Sequence, residues 1–221
     1  MLENATAEQR EMIQNTEGYQ RVCAVPGSGK TFSLIHRMAY LITELYIDPS
    51  SIQAITFTNK AARQMTNRLK SLVGDKAECF TGTFHAKCNE ILKEESYRLS
   101  WPKNFSILDK HAQVDLIRLI AEEQGISLKD HTAAYYVDLI AARKQTVDYV
   151  SRYLMGSEKT RLTEEIAQTT AEDDRMYLNY LLKQRENYVV DFQDLMMMAL
   201  YILTHYRDAL EKWQDRCQYL L

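Results

Sequence analysis

The stretch Arg21–Phe32, RVCAVPGSGKTF, constrains this chain more than any other part of it. Arg21–Val25 is short, apolar and β-branched, which predicts a buried strand. A glycine loop follows and ends in Gly29-Lys30-Thr31. Behind it Leu34, Ile35, Met38, Leu41, Ile42 and Leu45 recur at helical spacing, predicting a helix that opens near Lys30 and stops at Asp48-Pro49. Strand, glycine loop and helix in this order form a phosphate-binding context. Gly27 and Gly29 allow a close backbone approach that a Cβ would block. Ala24, Pro26, Gly27, Ser28 and Gly29 would supply the loop, and the helix dipole would favour an anion at its start. Lys30 would reach the β- and γ-phosphates, and the Thr31 hydroxyl would ligate Mg²⁺. Ala24 stands where the usual pattern has its first glycine, and this removes no phosphate donor. The bland alternative is a chance Gly-Lys-Thr turn.

The flanking sequence extends the α/β alternation. Thr6 with Gln9 forms a Thr-x-x-Gln capping box that opens a first helix. IQAITF (52–57) predicts a second strand. Thr58 or Asn59 then caps a helix whose Ala61, Met65, Leu69 and Val73 share a face, with Gly74 as a left-handed stop. ECFTG (78–82) predicts a third strand, followed by a helix over about 84–97. Alternating units of this kind imply a parallel sheet covered by helices.

Composition narrows the class. In 221 residues there are only 7 glycines and 3 prolines, which favours helices over loops. The net charge of -3 gives no global signal for nucleic acid, but the charge is uneven. Lys60, Arg63, Arg68, Lys70 and Lys76 face one acid, Asp75, between residues 53 and 76; such a stripe is either a solvated helix face or a binding surface. Cys23, Cys79, Cys88 and Cys217 are scattered, so neither a disulfide framework nor a zinc site is expected, and a reducing compartment fits. The longest apolar run, LMMMALYIL (195–203), is too short to span a bilayer. A cytoplasmic monomer without membrane contact is the expectation.

Beyond Trp101-Pro102 the periodicity turns helical. HAQVDLIRLIAEEQG and DRMYLNYLLKQRE are amphipathic, and no buried strand is predicted over 109–207. CQYLL at the end returns to a strand pattern. The helical block therefore reads as an insertion, giving a first sheet part at 1–108, an all-helical subdomain at 109–207 and a return strand within 208–221.

Three further segments give a family resemblance. NATAEQR precedes the glycine loop, TFTNKAA (56–62) follows the second strand, and GTFHA (82–86) follows the third. In this order, with AVPGSGKT, they resemble the Q motif and motifs Ia, Ib and I of the UvrD/Rep/PcrA family of superfamily 1 DNA helicases. The resemblance implies a RecA-like domain 1A interrupted by a helical domain 1B, with NFSILD (104–109) and VVDFQDL (189–195) at the edges of 1B. It implies ATP and Mg²⁺ as cofactors and single-stranded DNA or DNA junctions as partner. Gln9 would read the adenine edge, although the capping box alone also explains it. Thr56, Phe57, Thr58, Asn59, Lys60, Arg63, Thr83, Phe84 and His85 would line the DNA path. Phe57 and Phe84 could instead be core aromatics, and His85 a capping or core histidine. Phe32 is a departure, since many relatives carry a basic residue there.

VVDFQD looks like motif II of that family, but only two apolar residues precede Asp191, and Phe192 stands where a Glu should be. Asp191 or Asp194 as a helix cap is the better reading. Motif II would follow a strand such as CQYLL. The resemblance therefore implies an N-terminal portion of a 3′–5′ helicase, inactive as an ATPase without motif II. A recombination helicase–nuclease of the RecB/AddA type, a small-molecule P-loop kinase and a non-catalytic nucleic-acid or partner-binding module are the rival readings.

Overall fold

The computed structural model describes residues 2–3, 5–146, 148–155 and 158–221. Asn4, the first residue of NATAEQR, lies outside them. In chain order the elements begin α1 (Ala7–Gln14), α2 (Lys30–Thr43), β1 (Ile52–Ile55), α3 (Asn59–Val73), β2 (Phe80–Gly82), α4 (Phe84–Glu95) and β3 (Ser106–Leu108). They continue α5 (Lys110–Gln124), α6 (Ala133–Arg143), α7 (Tyr149–Tyr153), α8 (Glu158–Gln168) and α9 (Glu172–Asn187). The last are β4 (Val189–Asp191), α10 (Phe192–His205), α11 (Arg207–Asp215) and β5 (Tyr219–Leu220). Two compact units result, residues 1–84 with 211–221, and residues 85–210.

The first unit is built on a parallel sheet of order β2-β1-β5, with Gln53 opposite both Phe80 and Leu220. Tyr219 and Leu220, within CQYLL, pair in parallel with Ile52 and Gln53 of β1. Ile52 and Ala54 on β1 are fully buried against Ile35, Met38 and Leu41 of α2 and Met65 and Leu69 of α3. Burying each large side chain contributes about 1.5–3 kcal/mol, so this apolar seam fixes where the β1 and β2 ends lie. Thr58 caps α3 by accepting from the Ala61 N–H at 3.1 Å, a contact worth about 1 kcal/mol.

Four local expectations need correction. Arg21–Val25 forms no strand, and all five residues are exposed, Val25 at 71%. An apolar run becomes a strand only by pairing, and the three-stranded sheet of β2, β1 and β5 does not include Arg21–Val25. α2 ends at Thr43, well before Asp48-Pro49; Asp48 instead caps a short 3₁₀ turn over Pro49–Ser51. Gly74 has positive φ, but its ψ of -139° is outside the left-handed helical region. The helix expected to reach about residue 97 stops at Glu95 and tightens into a 3₁₀ turn over Ser96–Leu99.

The second unit is mainly helical, as its periodicity implies, but not wholly so. β3 and β4 pair in parallel, with Ile107 opposite Val190 and Leu108 opposite Asp191. Each strand is only three residues long, too short for alternation to register in the sequence. Asp109 caps α5, and Gly125 closes it in the left-handed conformation.

A P-loop tied to an N-terminal glutamine

The capping box at α1 forms as the sequence implies. The Thr6 hydroxyl accepts from the Gln9 N–H, and Gln9 Oε1 accepts from the Thr6 N–H at 3.0 Å. The other end of the same amide reaches the glycine loop: Gln9 Nε2 donates to the Ser28 carbonyl at 2.9 Å. Capping and loop contact are thus simultaneous, each using a different atom.

Gly27 and Gly29 both have positive φ, 83° and 86°, and Gly29 is the N-cap of α2. A Cβ on Gly29 would lie 2.7 Å from Gln9 Nε2, so the glycine is needed for backbone angle and for space. Lys30 Nζ folds back onto the loop, donating to the carbonyls of Ala24 at 3.0 Å and Val25 at 2.8 Å. Thr31 is exposed on the first turn of α2. Gln9, Ala24, Ser28 and Lys30, with Met12 and Cys23, line a pocket of ≈ 410 Å³. A pocket of that size, with the Gln9 amide and the Lys30 ammonium in its lining, could hold a nucleotide. Lys30 could exchange these carbonyl oxygens for phosphate oxygens, and the exposed Thr31 hydroxyl could ligate a metal ion. Pro26 and Gly27 stand exposed in the same loop.

Arg37 is a functional support that the sequence reading missed. It projects from the buried side of α2 and donates to the carbonyls of Met12 and Asn15 and to Gln20 Oε1, at 2.6–2.7 Å. Burial pushes its pKa down. By bonding the C-terminal carbonyls of α1 it fixes α1, and hence Gln9, against α2. A charged residue among the apolar positions Ile35, Met38 and Leu41 was the available signal.

At the sheet ends, the Thr56 N–H donates to the Gly82 carbonyl at 2.7 Å, which brings the loops after β1 and β2 together. Phe57 is 99% exposed and Phe84 62%, so neither is a core aromatic. Asn59, Lys60 and Arg63 are exposed on α3, Thr58 is its cap, and Thr83 is half-buried. His85 belongs to the second unit, where its ring meets Phe192 edge-on at 5.2 Å. Phe192 was not among the expected site residues.

Asp191 and Asp194 are not poised for metal chemistry. They form a capping box at α10, as the helix-cap reading required. Both are also buried around Lys144, whose Nζ lies 2.6 Å from Asp191 Oδ2 and 2.8 Å from Asp194 Oδ1. Tyr149, Tyr180 and Gln184 complete the cluster. Burial pushes Asp191 up, but Lys144 and the hydrogen bonds it accepts hold it below the usual carboxylate range. Burial and the Asp191 charge raise Asp194.

A parallel α/β sheet with a glycine loop at a helix start is the setting in which phosphate-binding loops occur. A family profile, the UvrD/REP helicase N-terminal domain, matches residues 5–221, and the chain belongs to this family. It is 33% identical over 221 residues to an ATP-dependent DNA helicase PcrA from Staphylococcus aureus. It is 32% identical over 227 aligned residues to the protein of that name from Staphylococcus epidermidis. Both alignments cover the whole chain but 29% of the relative's length. Among the described residues no helix is long and apolar enough to cross a membrane.

Proposed function

We propose that this chain binds ATP with Mg²⁺ and single-stranded DNA, as part of an ATP-dependent helicase that moves 3′ to 5′. The observation that carries the reading is the Gln9–Ser28 contact. It joins the Gln9 amide to the glycine loop in one pocket, within a chain of the UvrD/REP family. Gln9 reads the base, Gly27, Ser28, Gly29 and Lys30 hold the phosphates, and Thr31 ligates Mg²⁺. The bound metal–nucleotide supplies the phosphoryl group whose hydrolysis drives movement. DNA lies across the loops after β1 and β2, where Thr56, Thr58, Asn59 and Thr83 contact phosphates and Lys60 and Arg63 supply counter-charge. The exposed rings of Phe57 and Phe84 stack on bases, each contact worth about 1–3 kcal/mol. His85, beside Phe192 within the second unit, offers its own ring to a base. Four free thiols fit a reducing cytoplasm, and the chain acts as a monomer.

Fluorescence anisotropy with labelled ATP and with a labelled oligothymidylate tests both sites. Lys30→Ala should abolish nucleotide binding and leave DNA binding in place; Phe57→Ala with Lys60→Ala should do the reverse. DNA affinity should fall steeply with salt, because phosphate contacts dominate. Equal DNA binding by wild type and the double variant would remove the proposed path.

A further inference from the structure

We infer that α3 is a track for the backbone of single-stranded DNA, carrying the strand beyond the loop at Phe57 as far as Lys70. The inference rests on the DNA reading above and extends it to Asn67 and Lys70. Lys60, Arg63, Asn67 and Lys70 are spaced by three, four and three residues, which places them on one face of the helix. All four are exposed, while Ala62, Met65 and Leu69 turn inward to the sheet. The stripe runs roughly 15 Å along the axis at 1.5 Å per residue. It begins one turn from Phe57, whose ring stands wholly in solvent.

At the start of α3 the charge pattern serves a ligand better than it serves the helix, whereas Lys70 in the last turn suits both. Between Asn59 and Val73 there are four basic residues and no acid. Lys60 and Arg63 stand near the positive end of the helix dipole, where cations are disfavoured and acids favoured. A solvated face built for solubility mixes both signs. A row of cations with one amide donor, starting at an exposed aromatic, has the makeup of a single-strand surface: counter-charge along the backbone and a stacking ring at the end. The chain as a whole is acidic, so this stripe is a local feature and not a reflection of bulk charge.

Anisotropy titrations with oligothymidylates of about 2 and about 16 nucleotides, over a range of salt, test the track, the shorter being too short to reach from Phe57 to Lys70. Lys70→Ala should weaken the long oligonucleotide several-fold and reduce its salt slope by about 0.7, with the short one unchanged. Asn67→Asp should act on the long one in the same direction. Both positions are exposed, and thermal melting of each variant checks that the fold is kept. Unchanged binding of the long oligonucleotide would make the stripe a solvated face and overturn the inference; if Phe57→Ala still weakens binding, the DNA reading survives. Equal loss on both lengths, or a greater loss on duplex than on single strand, would overturn it too. If the wild-type chain binds neither length, both readings fall.

Discussion

Gln9 Nε2 donates to the Ser28 carbonyl at 2.9 Å while Gln9 Oε1 accepts from the Thr6 N–H. One amide therefore caps a helix and holds the phosphate loop. The two duties separate by substitution. Gln9→Glu keeps the acceptor for Thr6 but sets a carboxylate oxygen against the Ser28 carbonyl. It should melt close to wild type while ATP affinity falls about tenfold, the size of one lost hydrogen bond of ~1.4 kcal/mol. Gln9→Ala should lose both affinity and helix stability. Wild-type ATP affinity in Gln9→Glu, measured by anisotropy, would leave capping as the residue's whole role.

The two loop glycines should respond differently to alanine. Both carry positive φ, so each substitution costs about 1–2 kcal/mol of backbone strain. A Cβ at Gly27 meets nothing within 4 Å, whereas at Gly29 it meets Gln9 Nε2 at 2.7 Å. Gly29→Ala should therefore swing the Gln9 amide off Ser28 and reproduce the ATP defect of Gln9→Ala. The double variant should bind no worse than Gly29→Ala, because neighbouring sites that share one contact do not add. Additive losses in a double-mutant cycle on ATP affinity would refute this coupling.

The cluster around Lys144 makes an ordered set of stability predictions. Lys144→Met leaves two buried carboxylates without their cation and should cost about 3–5 kcal/mol. The two acids differ in sign. The pKa of Asp191 in the fold is depressed, so its contribution is present above the unfolded pKa and is lost as pH falls through the folded one. That of Asp194 is raised, so its contribution is present below the unfolded pKa and is lost as pH rises through the folded one. Of the two, Asp191 is the one whose charged form the fold favours. Asp191→Asn should lower the urea midpoint more than Asp194→Asn, at unchanged slope. The reverse order would contradict the assignment.

What could be read in advance was local, and what could not was pairing. Thr6 with Gln9, the Thr58 cap and the β1 and β2 runs declare themselves within a few residues. Val22 and Val25 look like strand residues, but strands need neighbours, and the pattern says nothing about which edges are free. β3 and β4 are too short to show a period and exist because residues more than eighty positions apart meet. Asp191 was legible as a cap; its bond to Lys144, forty-seven residues upstream, was not. The same holds for Phe192 beside His85.

Cys23 offers a direct reporter for the pocket. It is exposed and lines the same space as Gln9 and Lys30. Burial pushes the thiols of Cys79 and Cys88 up to about 11, so they react slowly with alkylating agents. Mild alkylation near pH 8 should modify Cys23 ahead of these two. Saturating ATP should protect it in wild type but not in Lys30→Ala. Mass mapping of the modified cysteines reads the result, and labelling of Cys23 that ignores ATP would place the nucleotide elsewhere.

The polypeptide 1–221 should bind ATP but turn it over negligibly. Hydrolysis needs a carboxylate to support Mg²⁺, a base to orient water, and cations to offset charge on the γ-phosphate; an arginine finger alone contributes about 10³–10⁵ in rate. The acids with the right pattern, Asp191 and Asp194, are committed elsewhere. They are buried, cap α10 and share the Lys144 ammonium, so neither has an oxygen free for a metal-bound water. Phosphate release should therefore stay at background with and without single-stranded DNA, while labelled ATP still binds. DNA-stimulated turnover that disappears in Lys30→Ala would mean that the buried aspartates rearrange into the nucleotide site. In that case Lys144→Met should change the rate as well as the stability.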